Sequence, residues 1–449
     1  MENNFDITRL HYLERKDKLM VIDRITGRWM MFSQSVGSIL PLVGTPVGII
    51  EEPHVQNMVT ELTKLLTDHG IGIRSPKKNN GLNTVILKLT KACNLACTYC
   101  YDFEPEDRAR HMDKEIALKA IYQAIDLCAG QVNFILHGGE PMLVWSLIED
   151  LVLAGEAYGK TRNVKVAFTG QTNLTRLDAE KVYFSARHHV QWGISFDGPK
   201  ELHDAFRVKH NGREGSYDTI VQAIREFPAF VKKCNALSTI TKVNQGRLVD
   251  IANHTYDLGF AGWDWSLFQA IGRGRESSTF DCDIDILIEA WDKLFIEVEQ
   301  GHFMGFPIKP VLKYLNNFVD GPIDNMCMRS HCGAGRDLLS VSYDGTIEAC
   351  DCIDPCSTIA KIGNMRAGGL NEAITSAKAD IIRSRDVETL QCGTCRWQGV
   401  CGGTCMARAG GINEISDHEC RLSLFAFDRI SNSIAGSNAL LEYKKSCEY

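Results

Sequence analysis

No block of lysine and arginine appears anywhere in the 449 residues, and the net charge is −7 with an isoelectric point near 6.0. That balance argues against a nucleic-acid partner, which needs a positive face for phosphate. Long apolar runs are missing too. The most apolar stretch, VGSILPLVGTPVGII, is interrupted by proline and glycine and is too short to span a bilayer, so no membrane segment is expected. The start MENNFDITRL lacks the basic-then-apolar pattern of a secretory signal, and the chain is expected to stay in the reducing cytoplasm. Internal repeats and low-complexity segments are absent. What remains, 44% hydrophobic and 23% charged residues, describes a globular chain of two or three domains.

Cysteine, by contrast, is abundant. Seventeen cysteines are too many to be idle, and structural disulfides are disfavoured in a reducing compartment, so metal or cluster binding leads. Eleven of them lie beyond Asp324.

Residues 1–80 read as a small unit. DRITGRWMMFSQSV within LMVIDRITGRWMMFSQSVGSIL predicts a β-hairpin turning at Thr26-Gly27 and then a helix, and HVQNMVTELTKLLTDHGI predicts an amphipathic helix stopped by Gly70. Together they suggest a winged-helix-like peptide-recognition module. The polar loop RSPKKNNG closes it. Over 81–280 strand and helix alternate as parallel βα units, with strands at TVILKLT, VNFILHGG, VKVAFTGQT, VQWGISFDG, NALSTITKV and AGWDWSLF. Six such units predict an α/β fold, a partial (β/α)6 barrel open on one side. Residues 281–325 read as a helical bridge, and 326–449 as a cysteine-rich domain.

KACNLACTYC, at residues 91–100, places Cys93, Cys97 and Cys100 at CxxxCxxC spacing on the loop after the first strand of the βα series. Ligands bind at that carboxyl edge in such folds. Three thiolates can hold a four-iron cluster while leaving one iron open to a small chelating molecule. A zinc site is the alternative. The segment resembles the radical S-adenosylmethionine (SAM) superfamily, with Tyr99 in its aromatic place. The resemblance implies that Cys93, Cys97 and Cys100 hold the SAM-binding cluster. It extends to HGGEP, where Gly138, Gly139, Glu140 and Pro141 would receive the SAM amino group, and to GQTN, where Gln171 and Asn173 would face the ribose. ISFDG, with Ser195 and Asp197, and Arg207 resemble the polar set near the ribose and carboxylate.

The C-terminal cysteines resemble the SPASM domain, which houses auxiliary clusters. By that resemblance Cys327, Cys332, Cys350 and Cys405 hold one cluster, and Cys392, Cys395, Cys401 and Cys420 a second, giving three 4Fe-4S clusters with the SAM-binding one. Two zinc sites are the competing reading. Cys352 and Cys356, in CDCIDPC, depart from the pattern and read as free thiols beside a cluster loop, with substitution for a ligand or contact with substrate left open. Cys128, Cys234, Cys282 and Cys447 read as unligated.

The resemblance implies a peptide-modifying oxidoreductase that cleaves reductively bound SAM and abstracts hydrogen from carbon. Its expected substrate is a ribosomally made (RiPP) precursor peptide with a leader, crosslinked through carbon-carbon or thioether bonds. An electron donor such as flavodoxin or ferredoxin would supply the reducing electron. The alternative is a sulfatase-maturing enzyme that forms formylglycine from Cys or Ser, a group that GREGSYD also resembles. No catalytic base is legible.

Overall fold

The computed structural model describes residues 5–45, 49–73, 81–102, 110–276, 280–321, 327–330 and 332–448. Leu10–Arg15 (β1), Lys18–Asp23 (β2) and Trp29–Ser33 (β3) form an antiparallel sheet in the order β1-β2-β3. The hairpin at Thr26-Gly27 is the β2–β3 connection. β1 was not expected, because HYLER offers no period-two apolar signal and is a strand through its pairing with β2. The helix expected after the hairpin is also absent. Gln34–Val36 and Leu40–Leu42 are single 3-10 turns, and Gly37 and Pro41 stand where a longer helix would have to continue. The helix Pro53–Asp68 opens on a proline, whose fixed φ suits a first turn, and ends before Gly70.

Leu82–Thr90 (β4), Cys128–Gly138 (β5), Lys165–Thr172 (β6), Gln191–Ser195 (β7), Asn235–Ile240 (β8) and Gly262–Leu267 (β9) pair successively in parallel. Helices such as Lys114–Leu127, Trp145–Arg162 and Leu248–Asp257 make the crossovers. β4 is buried almost throughout because both its faces are covered.

The sheet does not stop at β4. Leu338–Val341 (β10) adds to it in parallel, with Leu339 opposite Val85, and Thr346–Glu348 (β11) and Lys361–Asn364 (β12) extend it antiparallel to nine strands. The expected six-strand sheet thus gains a C-terminal extension on its β4 side, which satisfies edge amides that would otherwise stay bare. Ile284–Glu299 and Lys309–Asp320 form the helical bridge and pack on the long helix Asp417–Gly436.

β2 belongs to two cores. Successive strand residues point to opposite faces. Val21 joins Leu10, Leu40, Val43 and Leu66 in a small N-terminal cluster. Met20 and Ile22, on the other face, are wholly buried in the main core. Trp29 stacks on Phe318 with ring centroids 4.7 Å apart and donates to the Phe318 carbonyl at 2.6 Å.

No helix among the described residues is long and apolar enough to cross a membrane.

Candidate functional site

β4 delivers the chain to the first cysteine loop, and three segments hold that loop. On one side, Ala96 N donates to Val208 O at 2.7 Å and Thr98 N to Phe206 O at 3.0 Å, so the loop pairs with residues 206–209. GREGSYD builds that support: Val208 bridges to Gly215, and the buried Ser216 hydroxyl donates to Arg207 O at 2.8 Å. On a second side, Arg273 donates from its side chain to Cys97 O at 2.7 Å and from its backbone to Cys100 O at 2.9 Å.

The third support is HGGEP. Gly139 N donates to Thr90 O at 2.7 Å and Glu140 N to Ala92 O at 2.8 Å. The two backbones run so close that a β-carbon on Gly138 would lie 2.3 Å from Thr90 O, and one on Gly139 2.2 Å from Ala92 O. Gly138 also has φ +121°, a conformation side chains rarely adopt. The two glycines are therefore required to bring Glu140 beside the cysteine loop.

Glu140 is buried and accepts from Met142 N at 3.0 Å, Thr172 Oγ1 at 2.7 Å and Asn173 N at 2.7 Å. Burial raises its pKa, and those hydrogen bonds oppose the shift. Pro141 opens the short turn that follows. Asn173 reaches back to Asn94 Oδ1 at 3.0 Å, and its amide lies 3.8 Å from Cys93 Sγ. Gln171 donates to Ser195 Oγ at 3.0 Å. Asp197 takes a two-pronged ion pair from Arg207 at 3.0 and 3.1 Å, together with Thr239 N and the Tyr99 hydroxyl. Arg207 lies 5.4 Å over the Tyr99 ring, so Tyr99 is clamped between the loop and the pair.

Burial pushes the Cys93 and Cys97 thiols up and the Cys100 thiol up to about 12. Three buried thiols this reluctant to ionise match a site completed by a bound cation, because a coordinated thiol loses its proton outright. All the expected SAM-site residues lie on this edge of the sheet, at the ends of β4 to β7 or beside them.

A polar set not foreseen in the sequence lies between this loop and the C-terminal region. Lys88, on β4 and 2% exposed, sits 3.0 Å from Glu348 and 3.4 Å from Asp102, while Lys91 donates to Asp102 at 2.8 Å. Burial works against the Lys88 charge, but Asp102 and Glu348 outweigh it and raise its pKa. Tyr101 lies 3.3 Å from His137 Nε2 and donates to Asp351 Oδ2 at 3.2 Å. His137 Nδ1 is buried with no hydrogen-bond partner, and burial lowers the ring's pKa. The signal was a lysine inside the apolar run TVILKLT and a Tyr-Asp pair directly after Cys100.

Farther along, Cys392, Cys395, Cys401 and Cys420 line one cavity beside Trp397. Elsewhere Cys327 lies within electrostatic reach of Cys332, Cys352 and Cys405, and Cys350 of Cys352. Cys327 is exposed as a residue, but its sulfur has lost most of its solvation and its pKa is pushed up to about 12, by that burial first and then by Cys332 and Cys352. Cys128, Cys234 and Cys282 donate instead to the carbonyls of Ile125, Phe230 and Ile240. Cys447 lies beside Ser446, and Cys356 accepts from Arg275 at 3.3 Å.

Known proteins resemble this chain in sequence and in fold. A cysteine-type anaerobic sulfatase-maturating enzyme from Clostridium novyi is 25% identical over 350 residues, covering 72% of this chain and 87% of that enzyme. The crystal structure of anSMEcpe with bound AdoMet and Kp18Cys peptide, 20% identical, covers 78% of this chain and 98% of its own with a TM-score of 0.69. Streptococcus suis SuiB bound to precursor peptide SuiA, 15% identical, covers 92% of this chain and 99% of its own at a TM-score of 0.57. Residues 87–254, from β4 to the helix before β9, match the Radical SAM superfamily. With its cysteine loop, glycine pair and parallel sheet, that span is a radical SAM domain.

Proposed function

We propose that this chain is a peptide maturase that installs an intrapeptide crosslink, carbon-carbon or thioether, in a ribosomally made precursor. The observation that carries the reading is the N-terminal sheet built onto the radical SAM body, with β1 and β3 as its edges. An edge strand can take an extended leader peptide as a further strand, drawing affinity from backbone hydrogen bonds. SuiB, named with its precursor peptide, covers 92% of this chain, against 78% for anSMEcpe with its peptide.

When bound, a four-iron cluster and SAM supply the radical that takes hydrogen from an unactivated carbon. Cys93, Cys97 and Cys100 are the thiols to hold that cluster, with Glu140 and Asn173 beside them. Asp197 fixes Arg207, which keeps Tyr99 in place under the loop. Asp351, hydrogen-bonded by Tyr101, offers a carboxylate for the proton that leaves the substrate as the new bond closes. The sets around Cys350 and Cys392 would hold two auxiliary four-iron clusters, which would supply one-electron chemistry, with a flavodoxin or ferredoxin as the electron donor.

The second reading, formylglycine formation, is favoured by the similarity to sulfatase-maturating enzymes of cysteine and serine types. One experiment separates the two. The reduced protein is incubated anaerobically with SAM and with peptides encoded by short reading frames beside the gene, or with a sulfatase peptide containing Cys. A crosslinked product that loses hydrogen and stays joined after digestion, formed with 5'-deoxyadenosine, supports the proposal. Hydrazide-reactive aldehyde from the sulfatase peptide, without crosslinking of any neighbouring peptide, overturns it.

A further inference from the structure

Lys88 interrupts the apolar run of β4 and is 2% exposed. Its ammonium lies 3.4 Å from Asp102 and 3.0 Å from Glu348. Asp102 follows Cys100 by two residues, and Glu348 precedes Cys350 by two. Two residues span at most about 7 Å of chain, so the ammonium stands between the backbone that carries Cys100 and the backbone that carries Cys350. Tyr101 and Asp351, the immediate neighbours of those cysteines, make a second tie at 3.2 Å. The pairing of β11 with β12 shifts register between Ile347 and Glu348, a bulge of the kind that re-aims a side chain. Stability does not account for the set. Apolar residues of similar volume hold a core as well as a buried ion pair does, because desolvation offsets the attraction. Asp102 Oδ2 is also buried without a hydrogen-bond partner, so the set is incompletely satisfied.

We propose that Lys88 is a shared electrostatic control of two iron-sulfur centres: its buried positive charge favours the reduced form of both the cluster on the first cysteine loop and the cluster at Cys350, and so raises both reduction potentials. The inference rests on the proposed reading that the set around Cys350 holds a cluster. A cluster's potential follows the net charge around it, and salt screens a buried charge little. Reduction adds one electron to a cluster, and the fixed ammonium stabilises that added negative charge. Glu348 opposes it from the auxiliary side, and Asp102 from the side of the first loop.

The test uses the full chain, reconstituted anaerobically with iron and sulfide, poised with dithionite and redox mediators, and followed by electron paramagnetic resonance. Added SAM marks the signal of the cluster held by Cys93, Cys97 and Cys100. At a fixed applied potential, Lys88→Met should lower the reduced-to-oxidised ratio of both clusters by about tenfold, the size of a unit charge acting across roughly 10 Å at an effective dielectric near 20. Lys88→Arg, which keeps the charge, should stay close to wild type. Glu348→Gln should move the auxiliary cluster the opposite way. A lysine that only holds the fold gives the same direction of change in Lys88→Met and Glu348→Gln, or none, and either result overturns the proposal. If Lys88→Met fails to fold, Glu348→Gln carries the test alone, and an auxiliary ratio that stays or falls overturns it. A wild-type count near 4 irons instead of about 12 sinks the underlying auxiliary reading before any variant is made, and Lys88→Met is then read on the remaining cluster.

Discussion

Asp197 and Arg207 are both buried, and each carboxylate oxygen of Asp197 has a guanidinium nitrogen within 3.1 Å. Removing one member of a buried pair leaves the other charge without compensation, at a cost of about 3–5 kcal/mol. Asp197→Asn is expected to lose about that much in chemical denaturation and to release Tyr99 from beneath the cysteine loop, lowering retained iron. Replacement of both residues by a well-packed apolar pair should recover most of the stability but not the iron. Unchanged stability in Asp197→Asn would show that the pair is not the clamp described here. At this scale the sequence is legible wherever function imposes spacing: CxxxCxxC, HGGEP and ISFDG each sit in one short segment, and the chain brings them to one edge. It is illegible where partners come from distant segments. Nothing in DCIDPC says that Asp351 will meet Tyr101, 250 positions earlier. Likewise Lys88, Asp102 and Glu348 each look ordinary until folding puts them together.

Among elements, the six parallel strands were readable because β-branched and apolar runs of strand length alternate with helical periods. β1 and the β10–β12 extension were not, since both are made strands by the neighbour they pair with rather than by local pattern. The contact between the β2–β3 turn and the short helix Gln398–Cys401 belongs to the same class. A β-carbon on Gly399 would lie 2.1 Å from Gly27 N, so neither backbone can yield a side chain's width. Arg24 donates to Gln398 at 2.9 Å across the same seam. Gly399→Ala should therefore force the turn away, at a cost of about 1–3 kcal/mol, and speed amide exchange in β2 and β3 while leaving β4 to β9 protected. An unaltered exchange pattern would mean that the seam is looser than its distances indicate.

For the whole molecule, the N-terminal unit is not a bead on a string. Met20 and Ile22 are fully buried in the main core, and Arg15 donates to Ser431 at 2.7 Å on the long helix Asp417–Gly436. Deleting residues 1–73 should expose the apolar surface these residues cover, lowering the thermal midpoint by several degrees and raising hydrophobic-dye binding. A deletion variant with an unchanged midpoint would refute this. If the unit also grips a leader, the truncated protein should bind a precursor weakly even under conditions where it stays folded.

The parallel pairing of β10 with β4 also sets an order of events during synthesis. β4 ends at Thr90, yet its second neighbour does not begin until Leu338. A strand pair separated by so much chain must wait for the late residues to leave the ribosome, and until then one side of β4 is a bare row of amides. The cysteine loop hangs from that same strand. That loop thus reaches its final support at nearly the moment the C-terminal cysteines emerge. Nascent chains stalled before residue 338 should be the species most dependent on chaperones, and a cell that loads iron into this protein has reason to do so after translation has ended.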